Sequence, residues 1–304
     1  MDKKNIYQPL VKTVVEQSDS MSMASGRYSE VDDTEPLNLS FQNLTVSSTL
    51  DSSIMTAQTK ALILDNNKFL TLPDSICDMA HLRVLSISSQ LDLERIAAYR
   101  KPALQELPKS INKLEALSEL ILTNNALQRL PESMSHMKHL QVLDLRMNLL
   151  QQFPECICYM KSLITLRLCG NELEQLSTSI TKLKHLVTLT VSQNKLIELP
   201  DNIGLLLDLE HVDLRSNQLT SLPRSLCDIY PLAISNKLFL GNNPLEYPSL
   251  DVVTKGAKAV LKFLREDVDV RLREQGGARG RGRRDTHISK KVTSSKLDCM
   301  LGIL

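Results

Sequence analysis

Along most of this chain leucines alternate with polar residues for a few positions, an asparagine follows, a shorter apolar run comes next, and the cycle restarts. One cycle reads Leu140-Gln-Val-Leu143-Asp-Leu145-Arg-Met-Asn148-Leu-Leu150-Gln-Gln-Phe153-Pro154. Alternation at Leu143, Asp144, Leu145 and Arg146 has the two-residue period of a strand, which predicts leucines facing inward and polar residues outward. Pro154 suits an extended turn where no backbone donor is needed. Ile157 and Met160, three apart, suit the inner side of a short helical or extended return segment.

Asn125, Asn148, Asn171, Asn194 and Asn217 follow one another at intervals of 23 residues, each inside the frame LxxLxLxxNxLxxLPxxIxxL. Such a period predicts an α/β architecture, a right-handed leucine-rich repeat solenoid or horseshoe in which every coil adds one strand to a concave parallel sheet. The asparagine amide has two donor hydrogens and an acceptor, so it is expected to satisfy backbone groups of its own turn and of the next coil. A solenoid exposes a broad sheet and encloses no cleft. The pattern therefore points to holding another macromolecule rather than to catalysis.

Eight coils follow from the frame, beginning near Thr59, Leu82, Leu117, Leu140, Leu163, Leu186, Leu209 and Ser235. Coil two has Gln90 in the asparagine position and then an insertion, Leu91 to Ala103. Coil five has Ser177 in place of proline, and coil seven is lengthened by Leu232-Ala-Ile. Leu37-Asn-Leu39-Ser-Phe-Gln-Asn-Leu44 resembles half a coil, which predicts a degenerate N-terminal cap over residues 35–58. After the repeats of 59–248, Val253, Ala257, Val260, Leu261 and Leu264 form one apolar helix stripe. They predict a capping helix over 249–266, with Lys255, Lys258 and Lys262 facing water.

The whole chain carries 36 Lys and Arg against 35 Asp and Glu, a net charge of +1. Nine Lys or Arg stand against Glu274 and Asp285 between Arg271 and Lys296, a local +7, which leaves −6 for the remainder. Residues 1–34 are polar and serine-rich, and both they and the basic tail 267–304 are expected to be disordered. The run Gly276-Gly-Ala-Arg-Gly-Arg-Gly-Arg-Arg284 suggests an alternative class, a nuclear or RNA-associated accessory protein that neutralises phosphates through this tail. No apolar run reaches the roughly 20 residues needed to span a bilayer, and the N-terminus lacks the apolar region of a signal peptide. The expected location is the cytoplasm, with the nucleus as a second site.

Cys77, Cys158 and Cys227 share one frame position but fall three coils apart, far beyond zinc-ligand reach. The histidines are scattered and no phosphate-binding glycine motif occurs. The expectation is no metal, no cofactor and no catalytic residue. Cys299 beside the basic run could accept a lipid, but it does not stand fourth from the end as prenylation requires.

The 23-residue coil with LPxxI, Gly241-Asn-Asn-Pro-Leu-Glu-Tyr-Pro248 and Gly256-Ala-Lys-Ala-Val-Leu-Lys-Phe-Leu264 resemble the intracellular Ras-group leucine-rich repeat proteins. That set includes the plant Ras-group repeats, the Ras suppressor protein, Scribble and Erbin, and the repeat arrays of Roco proteins. The resemblance covers about residues 37–266. It implies a cytoplasmic scaffold or adaptor whose partner is a small GTPase, a phosphatase or a junctional protein.

Residues that the frame leaves free carry the specific information. The candidate partner-binding positions on the strands are Glu119, Asp144, Arg146, Arg167, His211, Asp213, Arg215 and Phe239. With strands about 4.8 Å apart, Asp144, Arg146 and Arg167 should cluster, and Asp213 and Arg215 should form a second cluster. Since neither Arg146 nor Arg167 is expected in the core, reversing both charges should leave folding unchanged. Phe239 is either an aromatic anchor on this surface or packing beneath the C-terminal cap. In the insertion, Arg95, Tyr99, Arg100 and Lys101 are candidate partner contacts at the rim.

Overall fold

The computed structural model describes residues 36–45, 59–88 and 103–278. The N-terminal tail, Gln90, the insertion residues Arg95, Tyr99, Arg100 and Lys101, the arginines from Arg279 onward and Cys299 lie outside the described residues. The described residues from Leu37 onward belong to one unit.

Nine strands, among the described residues, form one parallel sheet in chain order. They are β1 Leu37–Asn38, β2 Ala61–Ile63, β3 Val84–Ser86, β4 Glu119–Ile121, β5 Val142–Asp144, β6 Thr165–Arg167, β7 Thr188–Thr190, β8 His211–Asp213 and β9 Lys237–Phe239. Register is set by the inward column, in which Leu37, Leu62, Leu85, Leu120, Leu143, Leu166, Leu189, Val212 and Leu238 stand side by side. A slip of one residue would turn that column out to solvent. The half coil at Leu37 supplies β1 to this sheet, a ninth strand in register with β2.

The asparagines join each coil to the one before it, which reverses the expected direction. Asn171 Nδ2 donates to the carbonyls of Leu168 in its own turn and Leu145 in the preceding coil, both at 2.9 Å, and its Oδ1 accepts from Leu150 N at 3.1 Å. The same triad recurs at Asn125, Asn148, Asn194, Asn217 and Asn243. At the N-terminal end Asn67 accepts from Gln42 N and Leu44 N and donates to Leu39 O, tying the half coil down. The direction follows from backbone conformation. Residues just before these asparagines are left-handed, with Met147 at φ 55°, Gln193 at 55°, Ser216 at 56° and Gly170 at 69°. That turn aims the amide backward into the core.

On the return side, short 3-10 segments replace longer helices: Glu132–His136, Glu155–Tyr159, Thr178–Lys182 and Arg224–Asp228 are four of them. Pro131, Pro154 and Pro223 begin three of these at φ −68°, −71° and −68°, close to the value the pyrrolidine ring imposes. Ser177, the departure in coil five, holds φ −65° without a ring, and its side chain accepts from Ser179 N at 3.0 Å as an N-cap. Ile157 and Met160 are fully buried, as their spacing predicts. The lengthening of coil seven is absorbed as a helix, α1 Tyr230–Ser235, ended by left-handed Asn236.

The C-terminal cap differs from the single helix expected over 249–266. Gly256 at φ 90° breaks it into α2 Leu250–Val253 and α3 Ala257–Ala278. Helix α3 also runs twelve residues past Glu266, into a stretch expected to be disordered. Ala257, Val260, Leu261 and Leu264 are buried against the Arg224–Asp228 segment and α1, and Lys255, Lys258 and Lys262 are exposed. Arg265 Nη2 donates to Cys227 O at 2.7 Å, Arg224 pairs with Asp267, and Tyr247 packs on Phe263 with ring centroids 5.5 Å apart.

Replacing Asn171 by leucine removes three hydrogen bonds to groups that water cannot reach, at roughly 1–3 kcal/mol for each group left unpaired. Thermal unfolding should show a clearly lowered midpoint, and a midpoint equal to the parent's would contradict the bridging role. Removal of residues 250–304 should expose the last coil and cause aggregation, whereas removal of 279–304 should leave a soluble folded chain by light scattering and circular dichroism. Equal solubility of the two truncations would show that α3 is no cap.

Candidate functional site

The outward strand positions form three rows across the concave sheet. In the first row Glu119, Val142, Thr165, Thr188, His211 and Lys237 are neighbours; in the second, Ile121, Asp144, Arg167, Thr190, Asp213 and Phe239. Arg146, Cys169, Ser192 and Arg215 continue into the third. The eight strand residues proposed from sequence therefore share one surface, seven of them on or directly after β5 to β9 around two acidic centres.

The first centre is Asp144, which is only 1% exposed although its position faces outward. Arg146 covers it: Nε donates to both carboxylate oxygens at 2.9 and 3.0 Å, Nη2 donates to Oδ2 at 2.7 Å, and the Arg146 backbone N–H donates to Oδ1 at 3.1 Å. Arg167 approaches from the next strand, 3.6 Å from Oδ2. This two-arginine clamp changes what charge reversal would do. The expectation that reversing Arg146 and Arg167 leaves folding unchanged is overturned, because three carboxylates would then meet at a buried point.

The second centre repeats the fork three coils on. Arg215 Nε donates to Asp213 Oδ1 at 2.9 Å and its Nη2 to Oδ2 at 2.7 Å, and this hydrogen bonding raises the Arg215 pKa further. The guanidinium lies over Phe239, 5.3 Å from the ring centre, and His211 packs on the same ring at 5.5 Å. Phe239 thus belongs to the concave surface and stays 38% exposed there. His211 is 8% exposed, and its Nδ1 is shielded without a hydrogen-bond partner, as is Thr190 Oγ1 on the neighbouring strand. Burial depresses the His211 pKa, Lys237, Arg167 and Arg215 act in the same direction, and Asp213 opposes them.

Toward the N-terminal strands the face changes character. Glu119 is half-buried, with burial pushing its carboxyl up and Arg167 pulling it down. Asp65 accepts from Ser86 Oγ at 2.8 Å and Ser88 N at 2.6 Å, and burial raises its pKa as well. Thr190 and Lys237 were missed as site residues in the sequence. Summing charge along each outward row, rather than choosing conspicuous arginines, would have found Lys237.

Away from this face, Cys156 and Cys158 are core residues whose thiols burial pushes up to about 12 and about 11. A surface depression of about 550 Å³ lies near Asp74, Asp78, Glu106 and Lys113, where Lys113 pairs with Asp78 at 3.3 Å. Among the described residues no helix is long and apolar enough to cross a membrane.

Two family models match: Leucine rich repeat over residues 115–173 and Leucine Rich Repeat over residues 208–229. No curated protein matches the chain. Among solved structures, the chain is similar to an internalin from Listeria monocytogenes at 18% identity and TM-score 0.51, covering 64% of this chain and 58% of that one. The Drosophila Toll structure, solved as the Toll–Spatzle complex, is similar at 24% identity and TM-score 0.50, over 66% of this chain and 31% of that one. A leucine-rich repeat protein from Leptospira interrogans is 26% identical with TM-score 0.37, over 67% and 59%. The chain therefore spans less than two thirds of each of these neighbours. The chain carries leucine-rich repeats, and its fold is the solenoid they build.

The Asp144 clamp is open to direct measurement. Arg146→Ala with Arg167→Ala should destabilise by about 3–5 kcal/mol, the cost of stranding a buried carboxylate. Adding Asp144→Asn should restore much of that in urea denaturation. Equal stability of the double and triple variants would show that Asp144 does not need the arginines.

Proposed function

We propose that the protein is a non-enzymatic interaction module, a scaffold or adaptor that holds a partner protein against its concave face. One observation carries this reading. The frame dictates the inward residues, and the residues it leaves free lie contiguously on a sheet held in register, with arginine forks and an exposed phenylalanine among them. Arginine and aromatic side chains anchor interfaces out of proportion to their number. Partly satisfied arginines on a rigid sheet also lose little freedom on binding.

The Ras-group resemblance makes an intracellular signalling protein the natural partner: a small GTPase, a phosphatase or a junctional protein, met in the cytoplasm. A surface of this kind binds by complementarity, and chemistry would need an acid, base or nucleophile poised toward bound substrate. His211, on the concave face, lies among Lys237, Asp213, Arg167 and Arg215 and packs on a phenyl ring instead.

Quantitative affinity capture from cell extract with three versions of the chain tests the reading. Thr165→Tyr with Thr188→Tyr adds uncharged bulk at the centre of the concave face, in residues suited to strands. It should abolish capture of the partners that the parent retains. Charge reversal at Lys182 and Lys184, on the return side between β6 and β7, should leave capture unchanged. The opposite pattern would put the binding face on the convex side, and loss of capture on deleting 279–304 alone would move function to the arginine-glycine tail.

A further inference from the structure

The concave face is electrically polarised along the solenoid. On β2 to β4 the charged outward positions are Asp65 and Glu119, with Ile63, Val84 and Ile121 between them. At β5, Asp144 and Arg146 cancel in the fork. On β6 to β9 three cations, Arg167, Arg215 and Lys237, stand with one carboxylate, Asp213. From β4 to β9 the separation is about 24 Å at the usual strand spacing. That is several times the Debye length of about 8 Å at physiological salt, so a ligand feels each end separately.

At the basic end the surface also has unused hydrogen-bonding capacity. His211 Nδ1, in a side chain more than nine-tenths buried, has no partner, and neither does Thr190 Oγ1 one strand away. Buried polar atoms of this sort normally find partners, and these two lie just beneath the most cationic part of the face, where a docked carboxylate would act on them through its charge. Phe239, half covered by His211 and Arg215, offers apolar area beside them.

We propose that β6 to β9, around Arg167, Thr190, His211, Lys237 and Phe239, receive an acidic segment of the partner protein, with an apolar side chain next to its carboxylate. This rests on the concave-face reading above and adds to it the charge and orientation of the segment. Lys237 meets the carboxylate, Arg167 adds to the attractive potential from three strands away, and the neighbouring apolar side chain lies on Phe239. A nucleic acid fits less well, because a strand long enough to follow the sheet would run from the cations onto Glu119 and Asp65. Those carboxylates also fix polarity: the acidic end of the segment lies toward β9 and its apolar end toward Ile121 and Ile63.

His211 gives this site a pH signature. In the free protein burial lowers the ring's proton affinity, and Lys237, Arg167 and Arg215 act the same way, against Asp213. A docked carboxylate offsets those cations and raises the ring's proton affinity, so binding takes up a proton and tightens as pH falls.

Random dodecapeptides displayed on phage and selected on the 304-residue chain supply the probe, and fluorescence anisotropy of the recovered peptides supplies the measurement. Recovered peptides should carry Asp or Glu beside Leu, Ile or Phe. Their affinity should fall tenfold or more with Lys237→Glu, and by a similar factor when the peptide's own Glu is changed to Gln, a change that leaves the protein's fold untouched. Affinity should rise several-fold between pH 7.5 and 6, and this rise should vanish in His211→Gln. Recovery of basic or neutral peptides, recovery of none above background, or acidic peptides indifferent to Lys237→Glu would each overturn the proposal. If binding ignores Lys237→Glu but is lost in the Thr165→Tyr, Thr188→Tyr variant, this inference fails and the concave reading stands; if it ignores both, both fail. Tighter Lys237-dependent binding of a twenty-nucleotide single-stranded RNA than of any peptide would also overturn it in favour of a polyanion.

Discussion

Each coil of this molecule has to turn its backbone away from the sheet inside an apolar core, and a buried amide or carbonyl without a partner costs more than a hydrogen bond gains. Asparagine resolves that conflict. With one side chain it serves a carbonyl of its own turn, a carbonyl of the previous coil and an amide of the previous coil, as at Asn148 with Leu145, Leu122 and Leu127. Those bonds fix the rise between coils, and the rise sets the register of the leucine column. The residue before each asparagine adopts a left-handed conformation to aim the amide, and at Gly170 even a methyl group would collide with Met147 Sδ. Ladder, register and sheet are therefore one constraint expressed at three scales.

A sheet fixed this way gives its outward side chains fixed neighbours. Asp144 and Asp213 sit nearly buried at positions that point away from the core, because an arginine two residues along the same strand folds back over each. Surface ion pairs ordinarily contribute little. Here the carboxylates are desolvated, so the forks hold the face in shape, and the arginines serve structure and recognition together. Most of the concave charge is thus partly committed before any partner arrives. What remains for a partner is the imbalance between the two ends of the face.

Much of this was legible in the chain because the period is strict. The inward column, the proline starts of the return segments and the clustering of Asp144 with Arg146 and Arg167 all follow from alternation and a 23-residue repeat. The rest needed coordinates for identifiable reasons. The direction of the asparagine bonds depends on a left-handed residue at positions as dissimilar as Met147, Gln193 and Ser216, which sequence preference does not single out. The break at Gly256 hides inside an unbroken apolar stripe, and the extent of α3 was masked by the polar composition beyond Glu266. Burial of His211 comes from Phe239, which lies 28 residues away in sequence but one strand away in space.

The central claim is that a register-locked concave face is where partners bind. Hydroxyl-radical footprinting of the protein with and without a captured partner reports on it most directly, because both faces carry reactive side chains that solvent reaches. Phe239 and Cys169 lie on the concave side, and Tyr159, Leu205 and Leu207 lie on the return side. Binding should protect Phe239 and Cys169 and leave Tyr159, Leu205 and Leu207 as reactive as in the free protein. Protection of Tyr159 and the two leucines, with Phe239 and Cys169 unchanged, would contradict the claim.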